Sequence, residues 1–236
     1  MNWIVGVDGC RGGWVAVWLD VRKSTIVDYA INLHSNIKDI LGDCRKPRII
    51  SVDMPIGLLA KRERGGRVCD REARKLLGSR ASSIFSPPVR NQLSATKYGQ
   101  VREQGLSRQS FHLLTKIREI DVLMTPRLQQ RVYEAHPELA FTKMIGTPMK
   151  RNKKTQEGRR ERVKAFRRTH LWPFSNLSQI LVHMLKLFPR RILAPDDVVD
   201  AWALAWIAYR IYLHQGERVP VRPSTDDRGL RMEIWY

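Results

Sequence analysis

Acidic side chains stand at four places in this chain where the surrounding residues are apolar. Asp8, Asp53 and Glu134 each end an apolar run typical of a strand, whereas Asp197 and Asp200 lie in the first turns of an apolar helical segment. A carboxylate that loses water without a partner costs several kcal/mol, so several at the ends of core elements need a shared partner. Mg²⁺ or Mn²⁺ takes oxygen ligands and supplies the positive charge that these carboxylates need. The pattern therefore predicts that all five carboxylates bind metal and act in catalysis.

The overall charge of the chain has the opposite sign to this acidic set. Among 236 residues there are 42 Lys and Arg against 23 Asp and Glu, which gives a formal net charge of +19. Such an excess favours a nucleic acid or another polyanion as partner, and a solvated basic surface is the plain alternative. An acidic metal site inside a basic surface suits hydrolysis of phosphodiesters by two metal ions. Whether the substrate is DNA, RNA or a small nucleotide stays open.

The helix predicted at Asp196–Leu213 contains the most informative pair of acids. Pro195 suits its first position, and carboxylates in the first turn interact favourably with the helix dipole, which explains Asp196 and can explain Asp197. Asp200 lies one turn further in, among apolar residues. Since Asp197 and Asp200 are three residues apart, they share a helix face and can ligate one ion.

The turn after Asp8 and the strand that contains Glu134 supply further candidates. The glycines of Gly9–Gly13 would let a phosphate approach closely, with Arg11 beside it to bind substrate, although a strand-end Asp is most often a turn former. Glu134 and His136 alternate along a strand and so face the same side. His136 is a candidate substrate contact or a polar contact within a turn. Glu138 is the alternative to Glu134 as the fourth acid.

Basic residues at other positions are candidates for phosphate contact. The segment Lys150–Arg168 holds ten Lys and Arg and only two Glu. It predicts a phosphate-binding arm that includes Lys153 and Lys154, or else a mobile linker. Arg67 and Arg74 fall near helical spacing in the predicted insertion, and Lys116 lies on its long helix. Each would bind phosphate or form a surface ion pair.

The spacing of apolar residues predicts the elements that carry these side chains. Six strands are expected at Trp3–Asp8, Trp14–Asp20, Thr25–Ile31, Arg48–Asp53, Arg131–His136 and Leu230–Tyr236. Five helices are expected at Leu33–Cys44, Cys69–Leu77, Ser107–Leu123, Asn176–Phe188 and Asp196–Leu213. These elements predict one α/β domain over residues 1–236, with a mixed sheet flanked by helices and a mostly helical insertion over roughly 57–128.

The cysteines and the hydropathy of the chain indicate the cellular compartment in which we expect the protein. Cys10, Cys44 and Cys69 show no metal-type spacing, which favours a reducing compartment over a disulfide framework. The first residues do not resemble a signal peptide, and the apolar stretch Val198–Leu213 is too short and too charged for a membrane span. We expect a soluble, cytoplasmic protein that binds no membrane.

Several ordered motifs resemble a known family, the domain-of-unknown-function family 429. The motifs are Gly6–Trp14, Val52–Leu58, Cys69–Arg74, Lys116–Asp121, Tyr133–Phe141, Lys153–Gly158, Asp196–Ala201 and Gly229–Ile234. Members are regarded as nucleases with an RNase H-like fold on inferred rather than settled grounds. The resemblance implies a metal site with Asp8 on the first strand, Asp53 on the fourth, and Asp197 and Asp200 on the last helix.

Two other classes of function remain open. Phosphotransferases and ATPases of the same superfold also place an Asp and a Gly-rich turn on the first hairpin, but this chain shows no clear second phosphate loop or adenosine motif. A non-catalytic nucleic-acid-binding protein could retain the acidic site for structure. ATP hydrolysis, metal-dependent cleavage, or binding without turnover would distinguish the three.

Overall fold

A mixed five-stranded sheet forms the centre of the computed structural model, which describes the backbone of residues 1–236 and all side chains except those of Ser175 and Leu185. The strand order is β3-β2-β1-β4-β5, and β1 runs antiparallel to β2 but parallel to β4. The strands are β1 Trp3–Cys10, β2 Gly13–Arg22, β3 Thr25–His34, β4 Ile49–Val52 and β5 Val132–Glu134. A separate two-stranded sheet pairs β6 Arg218–Val219 with β7 Ile234–Trp235. The predicted mixed α/β architecture is confirmed.

Helices cover both faces of this sheet. They are α1 Ile37–Leu41, α2 Val68–Leu77, α3 Gly99–Arg102, α4 Arg108–Leu123, α5 Pro137–Ile145, α6 Gln156–Arg167, α7 Leu177–Leu187 and α8 Pro195–Tyr212. Helices α2, α3 and α4 lie in the long segment between β4 and β5. Among the described helices, none combines the length and apolarity that crossing a bilayer requires.

The alternation of side chains along β2 explains why the sheet has two cores. Val15, Val17 and Leu19 pack in the cluster that contains α8, whereas Trp14 and Trp18 pack in the opposite cluster, with α1 and α4. Successive residues of a strand point to opposite faces, so a strand buried on both faces must be apolar almost throughout. Helix α8 is correspondingly apolar around most of its circumference because it is covered by the sheet and by other helices.

Gly6 lets α8 lie directly against β1. A Cβ atom added at Gly6 would lie 2.0 Å from the amide nitrogen of Ala205 and 2.5 Å from the carbonyl oxygen of Ala201. Both are backbone atoms of a packed helix, which cannot yield as a side chain would. The close approach places the first turns of α8 over the end of β1.

We expect Gly6→Ala to lower the free energy of unfolding by about 3 kcal/mol, at the upper end of typical overpacking costs. Gly99→Ala is the matched control, because a Cβ atom at Gly99 meets nothing within 4 Å and alanine favours helix α3. Chemical denaturation of both variants measures the difference. A Gly6→Ala protein as stable as the Gly99→Ala protein would contradict the close packing.

Several element boundaries differ from the sequence-based predictions, most of all where β3 meets α1 and at the last strand. Strand β3 continues to His34, which pairs with Trp14, so the helix predicted at Leu33–Cys44 is confined to Ile37–Leu41. The last predicted strand, Leu230–Tyr236, is reduced to Ile234–Trp235.

The basic segment Lys150–Arg168 is mostly helix, so the linker alternative is wrong for its residues in α6. The Thr155 hydroxyl accepts a hydrogen bond from the Gly158 amide and caps the helix. Ala165 and Phe166 are buried on its inner face. The segment is therefore held against the core by ordinary apolar packing, despite its charge.

Candidate active site

The register of the parallel strands brings Asp8 and Asp53 together. Val7 of β1 pairs with Val52 of β4, so the two aspartates follow neighbouring positions at the same edge of the sheet. The Asp53 amide donates to the Val7 carbonyl at 3.2 Å. Asp8 follows Ile4 and Gly6 on the face that meets α8, and its side chain is buried, with 7% exposure.

Helix α8 adds two further carboxylates above this edge. One oxygen of Asp197 accepts a hydrogen bond from the Ala194 amide at 3.0 Å and so caps the helix. Asp200 is 1% exposed, and its Oδ1 atom has no hydrogen-bond partner among the described residues. The capping explanation therefore holds for Asp197 and does not extend to Asp200.

Lys153 is the cation that faces this group of aspartates. Its Nζ atom lies 2.5 Å from Oδ2 of Asp200. Lys153 was predicted from the sequence to lie in a phosphate-binding arm, but its ammonium lies at the carboxylates instead. The lysine side chain is 38% exposed, whereas the aspartate side chain is 1% exposed.

Burial, together with repulsion among the carboxylates, raises the pKa values of three of these aspartates. Burial, followed by the charges of Asp200 and Asp53, raises the pKa of Asp8 well above its usual value. Burial raises the pKa of Asp53 to about 7. Burial, followed by Asp196 and Asp200, raises the pKa of Asp197 to about 6. We call Asp8, Asp53, Asp197 and Asp200 the aspartate cluster.

The donor chemistry of the aspartate cluster fits a divalent cation, although its present geometry is not that of a formed metal site. Among the described residues, no group of three His, Cys, Asp or Glu side chains is arranged to hold a metal ion. All four candidate ligands are carboxylates, which suit Mg²⁺ or Mn²⁺. The buried Oδ1 atom of Asp200, to which no described group donates a hydrogen bond, supplies an available ligand atom. Binding would require the carboxylates to draw closer.

We expect the stability of the metal-free protein to fall as pH rises from 5 to 8, partly because of Asp53. A folded-state pKa near 7, raised from 3.8, gives stability that is fully present below pH 3.8 and is lost as pH rises through 7. Asp53→Asn should remove this loss, so its stability relative to wild type should be about 1–2 kcal/mol greater at pH 8 than at pH 5.

Urea unfolding in EDTA at both pH values tests this dependence on Asp53. The exposed Asp28 on β3 supplies the control substitution Asp28→Asn, for which no such pH-dependent difference is expected. An Asp53→Asn variant whose stability relative to wild type is the same at pH 5 and pH 8 would contradict the assignment.

Glu134, predicted as a fourth metal ligand, lies in a buried ion-pair network instead. Its carboxylate binds Arg67 at 2.5 and 2.7 Å and accepts a hydrogen bond from the Ile56 amide at 2.7 Å. Arg67 also binds Asp70 at 2.7 Å and is 2% exposed. Because each guanidinium nitrogen already binds a carboxylate or carbonyl oxygen, Arg67 is not available to a phosphate. We retain neither Glu134 as a ligand nor Arg67 as a substrate contact.

His136 and Glu138 also have structural partners. The His136 ring accepts a hydrogen bond from the Glu138 amide at Nδ1, and its Nε2 atom lies 3.3 Å from the Ser83 carbonyl oxygen, with which it bonds as the donor. Burial lowers the pKa of His136 to about 4, so the ring is neutral. Oε1 of Glu138 binds the buried Arg162 at 2.5 and 3.0 Å, whereas its Oε2 atom has no hydrogen-bond partner among the described residues and lies 3.8 Å from Nε of Arg80. The polar-contact alternative therefore accounts for His136. Glu138, the alternative fourth acid, is paired with Arg162.

A basic cleft of about 800 Å³ opens beside the aspartate cluster. Asp197, Asp196 and Gly9, which follows Asp8, lie on its wall. Its basic and imidazole side chains are Arg11, His112, Lys116, Lys154 and Arg190. Arg11, Lys116 and Lys154 were expected from the sequence to bind substrate, and the structure brings them together. Lys116 also donates to the Gly13 carbonyl at 2.5 Å and lies over the Trp14 ring.

The residues that line the cleft are not all those predicted from the sequence to bind substrate. Arg74 binds the carbonyl oxygens of Ile84 and Gly65 and the Ser86 hydroxyl, which places it in a structural network outside the cleft. Arg190 and His112 were not predicted. The basic pair that precedes α8 in the sequence could have indicated Arg190, but no local pattern indicates His112.

Comparison with known proteins supports one assignment. No curated protein and no solved structure matches the chain. A family model described as "Protein of unknown function (DUF429)" matches residues 6–225, which is nearly the whole length. The chain therefore belongs to the DUF429 family.

Proposed function

We propose that this protein is a metal-dependent nuclease with an RNase H-like fold, in which residues 57–128 form a helical insertion. The observation that carries the proposal is the convergence of four aspartates from β1, the end of β4 and the start of α8. The strand and helix positions agree with those implied by the family resemblance. A buried Asp200 oxygen that finds no hydrogen-bond partner among the described side chains and backbone adds support, because a structural aspartate would normally be satisfied.

In this proposal the aspartate cluster holds Mg²⁺ or Mn²⁺. The chemistry that such a metal supplies when bound is activation of a water molecule and stabilisation of the leaving oxygen. Asp8 is the central ligand, since it lies beside Asp53 at the sheet edge and on the face of β1 that meets α8, which carries Asp197 and Asp200. The capping bond of Asp197 fixes that side chain at the helix start through one oxygen, and the second oxygen would be the one that binds metal.

The basic cleft would hold the nucleic-acid backbone. Arg11, Lys154 and Arg190 line it beside Asp197, so phosphates that flank the reacting one meet positive charge. Lys116 is fixed by its bond to the Gly13 carbonyl and by the Trp14 ring, which orients its ammonium group at the mouth of the Gly9–Gly13 turn. These contacts read the backbone and not the bases, so the cleft predicts weak sequence preference.

A non-catalytic nucleic-acid-binding protein is the second candidate, and the Lys153–Asp200 ion pair favours it. An internal ammonium compensates the charge of the aspartate cluster without any metal. In that case the cluster would be structural, and the basic cleft alone would account for binding.

A cleavage assay separates these candidates. Labelled single-stranded DNA, duplex DNA, RNA and a four-way junction are incubated with the protein in Mg²⁺, Mn²⁺ or EDTA. The proposal expects cleavage of at least one substrate with metal and none in EDTA. Binding without cleavage would support the second candidate. Hydrolysis of ATP with intact nucleic acid would instead identify a phosphotransferase or ATPase.

A further inference from the structure

The segment that carries Lys153 is held in place by its own hydrogen bonds. The amides of Lys150 and Arg151 donate to the Glu161 carboxylate at 2.9 and 2.8 Å. The Arg151 carbonyl accepts from Arg162, which is itself bound to Glu138. A Cβ atom at Gly158 would lie 1.8 Å from the Asn152 carbonyl oxygen, so the segment folds tightly onto the first turn of α6. The position of Lys153 is therefore set by α6 and not by a free surface loop.

Carboxylates face the Lys153 ammonium from several elements. Asp200 lies closest, and Asp8 on β1 and Asp53 after β4 also stabilise the charged form. Glu138 at the start of α5 also repels the charge of Asp53, and the nearby His136 is neutral. Lys153 is thus the charge that offsets the aspartate cluster in the metal-free protein.

We propose that Lys153 is the resident counter-cation of the aspartate cluster and competes with a divalent metal for Asp200. This inference depends on the proposed function because it takes the cluster as the metal site. The Lys153 ammonium donates a hydrogen bond to Oδ2 of Asp200. A metal ion bound to the same carboxylate would be repelled by the charge of this ammonium. Metal loading therefore moves Lys153 away from Asp200. The ion pair stabilises the folded protein when no metal is bound, and it lowers the affinity of the aspartate cluster for metal.

The competition predicts opposite effects on metal affinity and on metal-free stability. Lys153→Met should bind Mn²⁺ at least about 10-fold more tightly than wild type, because the competing charge is gone. The same variant should melt at a lower temperature in EDTA, since its buried carboxylates lose their partner. Lys150→Met is the matched control, because Lys150 is an exposed lysine of the same segment whose bond to Glu161 is made by the backbone amide, which the variant keeps. Its Mn²⁺ affinity should stay near that of wild type.

Calorimetric titration with Mn²⁺ alone, without nucleic acid, measures these affinities. Lys153→Gln repeats the test if the methionine variant does not fold, and Lys153→Arg should retain the weak affinity of wild type because it keeps the charge. Equal or weaker Mn²⁺ binding by the neutral variants would overturn the competition while leaving the metal site intact. Absence of Mn²⁺ binding in every variant would overturn both the competition and the metal site. Tighter binding by the neutral variants, without cleavage by wild type, would support the competition and refute the nuclease proposal.

Discussion

Asp8→Asn is expected to reduce metal-dependent cleavage by about 1000-fold or more while the protein still folds. Asp8 is a buried member of the aspartate cluster, and the charges of Asp200, Asp53 and Asp197 add to burial in raising its pKa. An amide in its place removes a ligand charge, and metal stabilisation of the transition state amounts to several kcal/mol. Single-turnover rates at saturating Mg²⁺ or Mn²⁺ measure the loss.

Asp196→Asn is the control for this substitution. Asp196 lies in the first turn of α8, where the helix dipole explains a carboxylate, and it is only partly buried. Its cleavage rate should remain close to that of wild type. In EDTA, Asp8→Asn should be more stable than wild type because a repelling buried charge is gone. Turnover like that of wild type in Asp8→Asn at saturating metal would rule out the proposed metal site.

Arg67→Met is expected to destabilise the protein by about 3–5 kcal/mol, the cost of leaving buried carboxylates unpaired. Arg67 is the partner of both Glu134 and Asp70, and the three side chains are buried beneath the loop that follows β4. Arg71→Met is the matched control, because the Arg71–Glu63 pair is 38% and 52% exposed and should contribute about 0–1 kcal/mol. Urea unfolding compares the two variants.

A double variant tests whether the loss comes from the unpaired charge. Glu134→Gln keeps an acceptor for the Ile56 amide but removes the negative charge. Arg67→Met combined with Glu134→Gln should therefore be more stable than Arg67→Met alone. If the double variant were the less stable of the two, packing of the arginine and not charge compensation would be its main contribution.

The sequence determined the features that depend on local patterns. Apolar runs that end in Asp8 and Asp53 specified two strands, and parallel pairing then places strand ends at one edge. Pro195 and the acids after it specified the start of α8, where the structure has Pro195 as the first helical residue. The apolar surroundings of Asp200 correctly distinguished it from a capping residue, because burial follows from helix periodicity.

Only the tertiary structure decided which charges meet. Lys153 and Asp200 are 47 residues apart. A chain with a net charge of +19 offers Asp200 many other cations as possible partners, so the sequence does not select this one. Glu134 has the same strand-end pattern as Asp8 and Asp53, but Arg67 reaches it from another element, 67 residues away. A local pattern shows that a carboxylate is buried, yet the partner that offsets its charge is chosen by the packing of distant segments, since Coulomb energy depends on distance in space.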